Sequence, residues 1–300
     1  MEYNLSFRKG TPVAKYGKKT IRICEKKDDS FEQDDILDLL DDIDISSLIT
    51  KKLRSADVNQ LREALSDEIE PENEDLLPLY KKLLEIIRNR KNKELTCTND
   101  SFKLLPNPKT RDVVYIGGRS GSGKSYQVAE YVKRFKKMFD EAEVFLFSPI
   151  KGEKVFKDLD IKQIDLDTIG EDKIDISQFP EGCLVIFDDI DSILDKNAKE
   201  RISELMHQIL QIGRHTKTYT VITKHLLNDY SKTRNICNEF TRVILFPAGS
   251  SHKNLTYFLE KYVGLDKHQI EKVLGMKSRH VIISSTVPMF AMCPNKIYLL

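Results

Sequence analysis

The chain has 300 residues, 40% of them hydrophobic and 32% charged, with no Trp, a balance that excludes a disordered or membrane-embedded class and allows one full core plus an appendage. Lys and Arg total 48 against 47 Asp and Glu, so net charge neither requires nor excludes a nucleic-acid partner. Residues 1–100 carry 18 basic and 22 acidic side chains and the remainder 30 and 25, which makes the larger part mildly basic.

Five scattered cysteines (Cys24, Cys97, Cys183, Cys237, Cys293) form no CxxC pair, so neither a disulfide framework nor a zinc site is expected and a reducing compartment fits. The start, Met1-Glu2-Tyr3-Asn4, lacks a signal-peptide pattern, and no apolar run approaches the ~20 residues of a membrane helix. A soluble chain with no membrane partner is expected.

Residues 1–24 mix β-formers and basic residues around Gly10, Pro12 and Gly17, as short strands or an extended arm do. Nine carboxylates fall between Asp28 and Asp44 with no Lys or Arg among them. Their spacing does not match a calcium loop, so a solvated linker is the expectation. Helix-favouring segments follow at Leu48–Leu53, Val58–Ile69 and Leu76–Ile87. Pro106 and Pro108 then break regular structure, which places the end of an acidic, helical appendage at residues 1–105.

Beyond residue 106 strands and helices alternate. Val113–Ile116, Val144–Phe147, Cys183–Phe187, Tyr219–Ile222 and Val243–Phe246 are short, continuous apolar runs, as strands buried on both faces are. The stretch Ser125–Phe139 places Val128, Val132, Phe135 and Phe139 on one face, and Ala198–Ile212 does so with Ile202, Leu205, Met206 and Ile209 before Gly213. Such alternation means a parallel α/β sheet, here a core over 106–250. Residues 251–300 read as an extension of it, two helices and a β-hairpin with strands His280–Thr286 and Met289–Leu299 turning near Val287-Pro288.

The run Gly118-Arg119-Ser120-Gly121-Ser122-Gly123-Lys124-Ser125 fits G-x-x-x-x-G-K-[ST], with a strand entering and an amphipathic helix leaving. Glycines allow the backbone to wrap phosphates, amides and the helix N-terminus face the negative charge, Lys124 bridges the β- and γ-phosphates, and Ser125 ligates Mg²⁺. The strand Cys183–Phe187 runs into Asp188-Asp189. Asp188 is the candidate Mg²⁺ holder and Asp189 the candidate general base, although Asp is one methylene shorter than the Glu many motor ATPases carry there. Asp191 reads as a helix N-cap. These features predict ATP and Mg²⁺ as ligands. Thr223-Lys224-His225-Leu226 nearly meets the guanine-specificity motif, but Leu226 cannot accept the guanine hydrogen bonds, which argues against GTP.

Tyr115-Ile116-Gly117-Gly118, Phe145-Leu146-Phe147-Ser148-Pro149, Phe187-Asp188-Asp189-Ile190-Asp191, Ile212-Gly213-Arg214-His215 and Thr233-Arg234-Asn235 together resemble the P-loop ATPases of large nucleocytoplasmic DNA viruses. Those are related to poxvirus-type genome-packaging ATPases and, more distantly, to FtsK/HerA motors, and the resemblance covers residues 110–300. It implies a RecA/ASCE-like P-loop NTPase fold, a parallel sheet flanked by helices, with a small mostly helical N-terminal appendage and a C-terminal β-hairpin. It implies a double-aspartate metal strand, so that Asp189 is a family variant. It also implies a polar sensor after the Thr218–Thr223 strand, where packaging motors carry Asn or Gln and this chain has Lys224-His225. Arg214 and Arg234 are candidate arginine fingers, and Arg214 also suits a helix C-terminus.

The function so implied is an ATPase (Mg-dependent, ATP to ADP and phosphate) that works as a homo-oligomeric ring and moves double-stranded DNA into a capsid. Capsid proteins are then partners, and the place of action is the cytoplasm of an infected host cell or the virion. Lys133, Arg134, Lys136 and Lys137 are candidate DNA-phosphate contacts or a solvated helix face. The alternative is an assembly or scaffold protein with a regulatory ATP site.

Overall fold

The computed structural model describes residues 3–25, 55–66, 69–90, 93–97, 100–169, 174–225 and 236–300. The acidic run at 28–44, the expected helix at 48–53, Leu226 and the 233–235 mark lie outside them. Two compact units are formed, one of residues 1–103 with 294–299 and one of 104–293 with Leu300.

In the first unit, β1 (Tyr3–Ser6), β2 (Thr11–Tyr16) and β3 (Lys19–Glu25) pair antiparallel in the order β1-β3-β2. A register shift between Pro12 and Ala14 lets consecutive Val13 and Ala14 both be buried, as a bulge allows. The appendage expected to be mostly helical thus contains a sheet. Helices α1 (Ser55–Ser66) and α2 (Leu77–Arg90) follow. They share a core of Leu61, Leu65, Leu76, Tyr80 and Leu83, each side chain contributing roughly 1.5–3 kcal/mol of burial. Strand β4 (Glu94–Thr96) comes next.

After β5 (Lys103–Leu104) the second unit runs through β6 (Val113–Gly117), α3 (Lys124–Met138), β7 (Val144–Phe147), β8 (Lys162–Gln163), β9 (Leu184–Phe187), α4 (Lys196–Ile212), β10 (Tyr219–Lys224) and β11 (Arg242–Leu245). It continues with α5 (His252–Phe258), α6 (Lys267–Leu274), β12 (Val281–Ser284) and β13 (Phe290–Cys293). Within this unit the sheet order is β13-β12-β11-β6-β10-β9-β7-β8. From β11 to β8 every pairing is parallel, and β12 and β13 add antiparallel. This is a P-loop NTPase sheet, and no helix among the described residues is long and apolar enough to cross a membrane.

Strands β6, β7 and β9 are buried along their whole length, which is why their sequences are unbroken apolar runs rather than alternating ones. Helix α3 buries Val128, Val132 and Phe135, and the Phe135 ring meets Tyr219 of β10 edge-on with centroids 5.1 Å apart. Tyr115 of β6 stacks on Phe240 and Phe258. The expected strand Met289–Leu299 is split: Pro294, with no N–H for a ladder, ends β13. The remaining β14 (Lys296–Leu299) belongs to the first unit, where it pairs antiparallel with β4. In the second unit the loops after β6, β9, β10 and β11 leave the same, C-terminal edge of the parallel sheet, the edge at which such sheets bind ligands.

Candidate nucleotide site

The phosphate loop leaves β6 at Gly117 and is tied to its neighbour β10, since the Gly118 N–H donates to the Lys224 carbonyl at 3.0 Å. A Cβ on Gly118 would lie 2.6 Å from both the Phe246 ring and Ser122 Oγ, so only glycine fits. Gly123 adopts φ 111° and caps α3 without a side-chain hydrogen bond. The first-turn amides of α3 therefore face outward with the helix dipole behind them, the arrangement that receives an anion. Ser125 stands in that first turn, half-buried.

Lys124 is 5% exposed. Its Nζ lies 3.5 Å from the Arg119 carbonyl, 3.2 Å from His225 Nδ1 and 3.8 Å from Asp189 Oδ1. An ammonium only donates, so His225 Nδ1 accepts and the proton sits on Nε2. Nε2 is 3.0 Å from Asp189 Oδ2 and donates to it. Lysine, histidine and aspartate thus form one chain along the loop.

Asp188 is 1% exposed. Its Oδ1 accepts from Thr223 Oγ1 at 2.7 Å, whereas the buried Oδ2 has no partner. Burial pushes the carboxyl up to about 6, helped by the charges of Asp189 and Glu153 and opposed by the Thr223 hydrogen bond and Lys124. The open Asp188 oxygen, just after β9, and the Ser125 hydroxyl, just after β6, both lie at the C-terminal edge of the sheet and are hard-oxygen donors of the kind Mg²⁺ takes. The residues present fit Mg²⁺.

Asp189 takes a left-handed backbone, φ 48° and ψ 34°, a conformation that costs a non-glycine residue about 1 kcal/mol. Its amide donates to Thr223 Oγ1 at 2.9 Å, and its Oδ1 lies 3.2 Å from the same hydroxyl. Thr223 at the end of β10 therefore organises both aspartates. Lys224, the expected sensor, ion-pairs instead with Asp191 Oδ2 at 2.8 Å. Asp191 is not an N-cap: it lies inside a 3₁₀ turn, Ile190–Ser192, and Asp195 caps α4 by accepting from the Ala198 amide at 2.7 Å.

Arg214 stands elsewhere. The Arg111 guanidinium, just ahead of β6, donates to the Ile209 and Leu210 carbonyls at the end of α4, and Arg214 is close enough to act on its charge. A Cβ on Gly213 would meet Arg111 Nη1. The Gly213-Arg214 mark thus closes α4 at the start of β6, about 16 Å of strand from the phosphate loop at its end. Arg234 lies outside the described residues. Of the basic run on α3, Lys133 and Arg134 pair with Glu130 and Lys136 with Asp160, and Arg134 and Lys136 are partly buried.

Sequence reasoning marked Lys224-His225 only as the place of the implied sensor, and missed Thr223, the contacts of His225 and the Lys224–Asp191 pair. The available signal was a polar Thr-Lys-His ending the apolar run of β10, and β10 is the strand that lies between β6 and β9. All five cysteines are free thiols.

No family model matches the chain. It is 38% identical over 204 residues to the uncharacterized protein V3 of the Sputnik virophage, a match covering 67% of this chain and 82% of that protein. Among solved structures it is similar to the DNA-packaging ATPase B204 of Sulfolobus turreted icosahedral virus (16% identity, 63% of this chain and 97% of that one, TM-score 0.42). It is also similar to the pCW3 conjugation coupling protein TcpA (12% identity, 67% of this chain and 65% of that one, TM-score 0.42).

Proposed function

We propose that this chain, which belongs to the family of protein V3 of the Sputnik virophage, is a Mg²⁺-dependent ATPase motor that packages viral DNA. One observation carries the reading. The orphaned Oδ2 of buried Asp188 and the Lys124–His225–Asp189 chain stand together at the C-terminal edge of β6, β9 and β10. A loop that only held phosphate would need no such acidic pair.

The loop amides from Gly118 to Ser125 bind the phosphates, and Lys124 turns from Asp189 and His225 to the β- and γ-oxygens. Ser125 and Asp188 would hold Mg²⁺, which when bound would supply charge neutralisation on the phosphates. Asp189 takes the proton of the attacking water as its oxygen bonds to the γ-phosphorus and ADP leaves. His225 Nε2–H holds that carboxylate in place.

The five ordered sequence marks support assignment to packaging motors, with double-stranded DNA, capsid proteins and further copies of the chain as partners in an infected cell. Arg214, at the other edge of the sheet from its own phosphate loop, then serves as a finger only for a neighbouring subunit, or Arg234 does so. The test is ATP turnover by the purified full chain with and without double-stranded DNA across its oligomeric states. DNA-stimulated turnover is expected, and its absence in every state rejects the motor in favour of a scaffold with a regulatory ATP site.

A further inference from the structure

The C-terminal part of the second unit reaches back to the phosphate loop through a residue that no sequence motif marks. Arg279 lies between α6 and β12, and its Nε donates to the Ser122 carbonyl at 3.2 Å. Its Nη2 stands 3.4 Å from where a Cβ on Gly123 would be, ordinary contact distance, so the guanidinium lies against the loop backbone.

The placement is built rather than incidental. Leu245 of β11 pairs with Val281 of β12, and continuing that antiparallel register sets His280 opposite Phe246 and Arg279 opposite Pro247. The His280 and Phe246 rings are 6.3 Å apart, and the same Phe246 ring packs against Gly118 and Gly123. A strand pairing and an aromatic contact thus fix where the guanidinium emerges.

The side chain is exposed and forms no ion pair among the described residues. A guanidinium has five N–H donors, of which Nε is used on Ser122. What remains is a cation and a two-nitrogen fork at a loop whose own amides, helix dipole and Lys124 are all electropositive. Lys124 has Asp189 beside it, but no carboxylate among the described residues pairs with Arg279, and a polyphosphate would supply the missing charge.

The direction of approach selects which phosphates. In the sheet, β11 and β12 lie on one side of β6, and β10 and β9, which carry Thr223, His225, Asp188 and Asp189, lie on the other. The reacting end of the nucleotide faces the aspartates, so Arg279 meets the part further from them.

We propose that Arg279 is a nucleotide-binding residue that clamps the phosphates common to ATP and ADP against the loop, outside the hydrolytic step. This rests on the nucleotide-site reading above. The Arg279→Gln and Arg279→Lys variants of the full chain are compared with the parent and with Lys124→Ala. Binding of fluorescent ATP and ADP analogues, steady-state turnover and the melting temperature without nucleotide are measured.

Arg279→Gln is expected to weaken ATP and ADP alike, by roughly ten- to a hundred-fold, the effect of losing charge-assisted hydrogen bonds. KM should rise by more than kcat falls, and Arg279→Lys should recover part of the affinity. Unchanged affinities in Arg279→Gln, with Lys124-dependent binding intact, overturn this role alone. A fall in kcat at constant affinity also overturns it, because the side chain would then act on the transferred group. If Arg279→Gln melts early while Arg279→Lys binds as the parent does, the contact with Ser122 is structural only and the proposal fails. If the parent binds neither nucleotide, the nucleotide site itself is refuted and this proposal with it.

Discussion

The Thr223 hydroxyl donates to Asp188 Oδ1 at 2.7 Å while accepting the Asp189 amide at 2.9 Å, so one side chain at the end of β10 holds the two consecutive aspartates that follow β9 in different tasks. The first keeps a buried oxygen open, and the second is held in a left-handed turn. Replacing Thr223 by Val, of the same shape but without the hydroxyl, leaves Asp188 Oδ1 unsatisfied and frees Asp189. ATP binding should stay within a few-fold of the parent and phosphate release should drop roughly ten- to a hundred-fold, the effect of removing one or two hydrogen bonds to charged groups. Thr223→Ser should restore most of it, and full activity in Thr223→Val would remove this residue from the site.

Lys124 and Asp189 are 3.8 Å apart and should separate into a binding and a chemical role. Lys124→Ala is expected to lose ATP binding, since Arg279 approaches the loop from the side away from the aspartates and does not replace its charge. Asp189→Asn should bind ATP and fail to turn it over. Equal turnover in Asp189→Asn and the parent removes Asp189 from the mechanism.

The Lys224–Asp191 pair is asymmetric, with Lys224 buried and the Asp191 side chain 44% exposed. Removing the lysine leaves a carboxylate that water can reach, whereas Asp191→Asn leaves a buried ammonium without its counter-charge. Asp191→Asn should therefore destabilise the fold by roughly 1–3 kcal/mol and Lys224→Met by less. Denaturant unfolding of both variants measures the order, and the reverse order means that Lys224 has another partner.

His280 supplies a pH dependence. Burial, with the charges of Arg279 and Arg134 adding, pushes its imidazole down to about 4. The unfolded chain titrates near 6.5 and so takes up the proton first as the pH falls. The stability contribution is complete above about 6.5 and is lost progressively toward 4, roughly 1–2 kcal/mol by pH 5. Compared at each pH, His280→Gln should lack that part of the acid destabilisation, and parallel profiles for the two proteins would mean that His280 protonates freely in the folded state.

Arg214 sits at the start of β6, beside Arg111, and the phosphate loop follows the strand's end. If it acts as a finger, it does so across a subunit boundary. Arg214→Ala should leave ATP binding intact and lower turnover in the assembled protein. Mixing Arg214→Ala with Lys124→Ala subunits should restore part of the activity, because each then supplies what the other lacks. A mixture no more active than its parts indicates a purely structural arginine.

The phosphate loop, the strand before it and Asp188-Asp189 were legible because each is a contiguous run whose chemistry depends on neighbours in sequence. Glycines at fixed offsets, a lysine and serine at a helix start, and an apolar strand ending in carboxylates need no distant partner to be recognised. Strands β6, β7 and β9 were legible for a related reason, since burial on both faces leaves them only apolar side chains. The N-terminal sheet was less so, with its bulge at Val13 and Ala14 disturbing the alternation of a half-buried strand. The break at Pro294 was missed because apolar residues lie before it and resume at Ile297.

What the sequence determined by itself is therefore a nucleotide-binding P-loop with an acidic partner strand. Only the tertiary structure decided how the parts meet. The chain visits β6, β7, β9 and β10 in sequence order, yet the sheet places β10 between β6 and β9, and this insertion brings Thr223 to the aspartates and His225 to Lys124. The antiparallel return of β12 beside β11 likewise carries Arg279 over a loop 157 positions away. Strand order and register depend on how the whole apolar surface is buried, so contacts between residues on different strands have no local signature.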